Sequence, residues 1–229
     1  MMTHEEGAGT MEKTKITVKI YEPLLRSFDS QLAGLCIKRD AFVNKMLRIE
    51  TVELARELKG KRLSSAARRY IAGELKRLGT VPVNIVVDKA VATELNAVVQ
   101  EANIVRDAFI NRLIIFLRSN SKVLKALKLP EGVDQSEFNE SIEAMPTSPL
   151  RAMEAAQQDP LGYLRLACEE RHNSGLYLLR MSPSMDGVAC YLDDTEVPGS
   201  EAAMEMEAAL KDLEAALNDF EEKMSGSQS

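Results

Sequence analysis

Few side chains in this 229-residue chain are equipped for covalent or metal chemistry. Cys168 and His172 stand four apart, one helical turn, and Cys190 adds a third candidate zinc ligand. A closed zinc site needs four, and no fourth ligand is evident. Buried thiols and a helix-ending histidine are the expected roles, so no metal and no cofactor is expected. With two histidines, no tryptophan and no Gly-rich phosphate loop, the chain is not expected to be an enzyme. Three cysteines, an odd number, and no signal-like or membrane-spanning run point to a reducing cytoplasm and no membrane partner. What remains is hydrogen-bonding and charge. Lys15, Thr17 and Lys19 alternate with Ile16, Val18 and Ile20, which on a strand gathers two ammonium groups and a hydroxyl on one face.

The elements that must position these groups occur twice. Arg39-Asp40-Ala41-Phe42-Val43-Asn44-Lys45-Met46-Leu47 returns 67 residues later as Arg106-Asp107-Ala108-Phe109-Ile110-Asn111-Arg112-Leu113-Ile114, with five of nine positions identical. The register holds upstream without a gap: Ile16, Val18 and Ile20 fall on Val83, Ile85 and Val87, Phe28 on Leu95, and Ile37 on Ile104. Each copy reads as an alternating strand followed by two helices. Leu24, Phe28, Leu32 and Leu35 recur at the three- and four-residue spacing of an amphipathic helix. A break follows at Cys36, matched by Asn103, and a second helix starts near Lys38 or Arg39 with Phe42, Val43, Met46 and Leu47 inward. Asp88 is a good N-cap for the first helix of the second copy. A unit of about 35 residues cannot bury a core alone, so each must pair with another.

This strand-helix-turn-helix plan, present twice, resembles the ribbon-helix-helix superfamily, the Arc, MetJ and CopG type of DNA-binding protein. The resemblance implies that two units pair their strands into an antiparallel ribbon lying in the DNA major groove. It assigns base reading to the outward strand residues, Lys15, Thr17 and Lys19 in the first copy. In the second copy those positions are Pro82, Asn84 and Val86, of which only Asn84 is a good reader. It assigns phosphate binding to the start of the second helix, at Lys38 and Arg39, and at Val105 and Arg106. Asp40 and Asp107 suit the helix dipole and would otherwise repel phosphate. Asn44 and Asn111 carry no assignment; they either bond across the paired helices or face solvent. The tandem arrangement is also similar to the TraY group of conjugation proteins.

Charge divides the same way. Residues 1–134 carry 23 Lys plus Arg against 16 Asp plus Glu, and residues 135–229 carry 6 against 19. A basic front and an acidic back fit a DNA-binding module with an acidic appendage. Between the copies, Ser64 or Ser65 caps a helix ending at Gly79. Its Arg68 and Arg69 either extend the phosphate track or form a solvated basic face. If the copies pair within one chain, the ribbon is asymmetric and the DNA site is not a palindrome; if identical copies pair between chains, palindromic sites follow.

The expected fold class is mostly α with a short β-ribbon. Its parts are a disordered N-terminus (1–12), copy 1 (13–58), a helical connector (59–79), copy 2 (80–128), a linker (129–149), a small α+β module (150–197), an acidic amphipathic helix (198–224) and a disordered tail (225–229). In the module, a helix from Asp159-Pro160 to His172 precedes two strands, 176–180 and 188–192. In the last helix Met206, Leu210, Leu213, Leu217, Phe220 and Met224 form a heptad seam under three full heptads long. That seam docks on its own chain, self-associates into a homodimer, or enters a protein partner's groove. The expected function is sequence-specific binding of double-stranded DNA as a transcriptional repressor, in a mobile-element setting. The alternative is an antitoxin-like or relaxosome accessory protein whose acidic part binds a protein partner.

Overall fold

The computed structural model describes residues 12–129 and 159–226; the expected disordered N-terminus, linker and tail lie largely or wholly outside them. Strand β1 (Lys13–Tyr21) leads into α1 (Glu22–Gly34) and α2 (Arg39–Glu57), and α3 (Ser65–Arg77) connects them to the second copy. That copy consists of β2 (Thr80–Asp88), α4 (Lys89–Glu101) and α5 (Arg106–Leu117), followed by a short helix α6 (Ser121–Ala126). Beyond residue 158 come α7 (Gly162–His172), two 3-10 turns (Pro183–Val188 and Asp194–Glu196) and α8 (Glu201–Gly226). The described chain is mostly helical with one two-stranded antiparallel sheet.

That sheet is β1 against β2, paired within the chain. Ile16, Val18 and Ile20 are buried, as are Ile85 and Val87, so the alternation read from the sequence sets the inner face. Thr17 pairs with Asn84, its own counterpart at an offset of 67, so a local two-fold axis passes through this central pair. The copies interlock across it. Helix α2 of the first copy packs on β2, and α5 of the second packs on β1. Phe28, Leu32, Met46 and Leu47 from one copy and Leu95, Phe109, Ile110 and Leu113 from the other fill the shared core. Neither copy could bury these residues by itself.

The helix breaks follow local chemistry. Cys36 (φ 57°) and Asn103 (φ 55°) both take the left-handed conformation at the same point of each copy. Ser64 Oγ accepts from the Ala67 amide at 3.0 Å and caps α3, whose Ala67, Ile71 and Leu75 are buried. Asp88 stands at the N-cap position of α4 but makes no side-chain cap bond. Its carboxylate accepts instead from Lys13 (2.5 Å), Arg48 (2.7 Å) and the Asn44 side-chain amide (2.7 Å); the two charged donors make stronger bonds than a backbone amide would.

The α+β expectation for residues 150–197 is corrected by the structure. No strand is formed among the described residues there. The apolar runs at 176–180 and 188–192 are instead irregular chain and turn, laid on the helices of the duplicated part. Leu176, Tyr177 and Leu179 are buried, and their backbone needs no ladder because side chains satisfy it. Arg112 donates to the carbonyls of Leu176 (2.8 Å from Nε) and Leu179, while Glu57 accepts from the amides of Tyr177 (2.7 Å) and Leu178 (3.1 Å). Farther on, Pro183–Val188 lies against α3. A Cβ at Gly187 would stand 2.7 Å from the Leu75 nitrogen, so only glycine permits this approach.

Candidate nucleic-acid interface

The outer face of the ribbon is where the sequence placed its polar row. Lys15, Thr17 and Lys19 are exposed, and so are Pro82 and Asn84 across from them, while Val86 is half-buried. In register, Lys15 lies beside Val86, Thr17 beside Asn84, and Lys19 beside Pro82. Both ammonium groups therefore come from β1, and β2 contributes an amide between two apolar neighbours. Thr17 Oγ1 donates to Asn84 Oδ1 at 2.8 Å. This leaves Asn84 its Nδ2 donors and a second lone pair on Oδ1, the complement of an adenine edge. Lys15 and Lys19 form no ion pair with any described residue.

The starts of α2 and α5 flank this row. Neither helix has a side chain capping its first amides, in contrast to α3 and α6, which Ser64 and Asn120 cap. Lys38, at the N-cap of α2, is exposed, and its ammonium makes no ion pair with any described residue. Arg39 and Arg106 are more occupied than their sequence position suggests. Arg39 reaches Asp29 (3.3 Å), Asp40 (3.1 Å) and the Asn84 carbonyl (3.4 Å). Arg106 reaches the Thr17 carbonyl at 2.5 Å and Asp107 at 3.5 Å. Each arginine thus crosses to the middle of the other copy's strand, with about 30 % of its side chain left to solvent. Asp40 does not oppose phosphate freely, since its second oxygen accepts from the Val86 amide at 3.0 Å.

Where the first copy has Lys38 the second has Val105, but the connector supplies charge at that point. Exposed Arg68 and Arg69 of α3 line a shallow cleft with Ser65, Ala72, Asn103 and Val105. The two helix starts are therefore basic by different routes, one from its own sequence and one from α3.

Sequence reasoning left Asn44 and Asn111 open, and the structure gives them matching positions. Asn44 Oδ1 accepts from the Asp88 amide at 2.7 Å, and Asn111 Oδ1 accepts from the Tyr21 amide at 2.9 Å. Tyr21 and Asp88 are themselves counterparts, so each asparagine fixes the far end of the opposite strand. Their identity in both copies on an otherwise apolar helix face was the signal available in sequence.

A second polar cluster carried no such signal. Arg165 Nη1 donates to both oxygens of Glu50 at 2.8 Å, Tyr177 Oη donates to Glu50 Oε2 at 2.6 Å, and Arg165 Nη2 donates to Asp159. Burial pushes the Glu50 carboxyl above its ordinary value, and the bonds from Tyr177 and Arg165 offset this in part. The cluster has the composition of an internal clamp, tying α2 to α7 and to the following turn. Cys168 and Cys190 lie nearby, with burial pushing their thiols up to about 11 and about 12, so both are protonated. His172 bonds the Leu127 carbonyl at 2.9 Å. Among the described residues no group of three His, Cys, Asp or Glu side chains could hold a metal, and no helix is long and apolar enough to cross a membrane.

Comparison of the chain with models of protein families, with curated proteins and with solved structures gave no match.

Proposed function

We propose that the chain is a sequence-specific double-stranded DNA-binding protein of ribbon-helix-helix type, acting as a transcriptional repressor, with its ribbon inserted in the major groove. The observation that carries this reading is the exposed row Lys15, Thr17, Lys19 and Asn84 on a two-stranded ribbon flanked by two uncapped, basic helix starts. A ribbon of this width fits a major groove, where lysine donates to guanine acceptors, the threonine methyl meets thymine, and asparagine pairs with adenine. The uncapped amides of α2 and α5 present donors to the flanking phosphates, helped by Lys38 on one side and by Arg68 and Arg69 on the other. Arg39 and Arg106 hold the ribbon between these clamps and keep part of their guanidinium surface for phosphate.

Pairing within the chain makes the reading surface unequal across its local two-fold axis. The preferred site is therefore not palindromic: Thr17 and Asn84 sit at its centre, and the two halves differ because one is faced by Lys15 with Val86 and the other by Lys19 with Pro82. Selection from random duplexes at moderate salt tests this directly. The expected consensus is an element that is not itself palindromic, alone or as an inverted repeat; enrichment of no site would falsify the DNA reading. Changing Lys15 and Lys19 to Ala should weaken selected-site binding more than random-site binding. Changing Arg68 and Arg69 to Ala should lower both alike and flatten the salt dependence by about one to two units of slope.

A further inference from the structure

The last helix leaves the body of the molecule with its apolar residues uncovered. Only its start is packed, against the Asp194–Glu196 turn. From Met204 to Ala215 every residue of α8 is exposed, including Met206 (49 %), Leu210 (52 %) and Leu213 (56 %). An isolated helix with such a stripe gains nothing from it in water, and most helical stability comes from covering the apolar face. Among the described residues none covers it.

We infer that this face pairs with the same face of a second copy of the chain, in a parallel two-stranded coiled coil. The charge pattern selects this occupant and this direction. Met206 and Leu213 take d positions and Leu210 an a position, a register that continues in sequence at Leu217, Phe220 and Met224. The e positions following each d are glutamates, Glu207 and Glu214. The g positions preceding each a are alanines, Ala202 and Ala209. In a parallel pair e faces the partner's g, so Glu207 meets Ala202 and Glu214 meets Ala209 without repulsion. In an antiparallel pair e faces e, which sets glutamates against each other. Bundles of three or more helices would bury the e positions and with them a carboxylate in each heptad. Glu207 already has its cation in its own helix, Lys211 at 2.7 Å, and asks none of a partner.

A parallel pair places both bodies at the same end of the coiled coil, related by a two-fold axis along it. The dimer then carries two asymmetric ribbons in mirrored order along any DNA they share, and would suit an inverted repeat of the non-palindromic element. The pairing itself does not rest on the DNA reading, and its test uses no DNA.

The experiment follows full-length protein by light scattering and by oxidation of single cysteines. The background is Cys36→Asn, which removes the exposed thiol and installs the residue found at the matching turn of the second copy. The expected result is a dimer that becomes monomeric in Leu210→Asp/Leu213→Asp. Leu210→Cys should oxidise to a covalent dimer at least tenfold faster than Ala208→Cys, which lies on the outer side of the seam. Both sites are exposed, so the body should melt as before. A monomer at every concentration up to about 100 μM would overturn the inference. So would a dimer indifferent to the aspartates, or equal oxidation of the two cysteine variants. Capture of a different, basic protein by a monomeric chain would replace it.

Discussion

Asn44 and Asn111 do equivalent work at opposite ends of the ribbon, and each works across the boundary between copies. The Asp88 amide has no solvent to fall back on, since Asp88 is 2 % exposed. Asn44→Ala should therefore cost about 1–3 kcal/mol in urea unfolding, the usual penalty for an orphaned buried amide. Asn111→Ala should cost a comparable amount, because Asn111 is fully buried and also donates to the Lys19 carbonyl at 2.8 Å. Asp88 predicts a pH dependence of its own. Hydrogen bonds from Lys13 and Asn44, opposed by burial and aided by Arg48, hold its carboxyl down at about 2. A carboxyl depressed below its unfolded value of about 4 stabilises the fold above that pH and loses the contribution as pH falls toward 2. Acid unfolding between pH 4 and 2 should be less steep in Asp88→Asn, which keeps the shape and abolishes the titration. If wild type and variant lose stability in parallel, the assignment to Asp88 is wrong.

Among the elements, the second helix of each copy has two jobs, one toward the ribbon and one toward the C-terminal segment. The first was readable in sequence because it recurs: the offset of 67 fixed both strands, both helix pairs and the left-handed turns at Cys36 and Asn103. The second was hidden because it does not recur. Arg112 stands where the first copy has Lys45, and nothing local distinguishes a buried guanidinium from a solvated one. Glu50 and Arg165 are 115 residues apart, beyond any periodicity. The two apolar runs at 176–180 and 188–192 resembled strands because burial on both sides gives the same composition whether the backbone is satisfied by a ladder or by Arg112 and Glu57. Arg165→Ala should destabilise by about 3–5 kcal/mol, since it strands the Glu50 carboxylate in the interior. Glu50→Gln combined with Arg165→Met should cost less than that single change. Gly187→Ala should also destabilise, by about 1–3 kcal/mol, as the new methyl meets α3 backbone that cannot rotate away.

On the scale of the whole molecule, the acidic and basic halves are not two freely joined parts. The segment from Asp159 to Val197 completes the core over α2, α3 and α5, whereas α8 beyond Met204 adds nothing to it. Shortening the chain to residues 1–200 should leave the thermal midpoint within a few degrees of wild type. It removes eight acidic and two basic residues and so brings the formal charge from −6 to about zero. Shortening to residues 1–129 should instead leave Arg112 without its carbonyls and expose apolar surface, read as dye binding and an early, broad melt. The candidate interface was legible as far as residue types and faces go. The occupation of Arg39 and Arg106 by strand carbonyls was not, because it depends on which copy each helix packs against.

The pairing of β1 with β2 inside one polypeptide also bears on abundance. A ribbon assembled from two separate chains dissolves on dilution and is shared out among whatever subunits are present. Here the strands are covalently tethered, so ribbon formation is unimolecular, and its population is the same at one molecule per cell as at a thousand. Tethering also frees each strand to change without its twin, which is how a lysine-bearing edge and a nearly neutral one can coexist in every molecule.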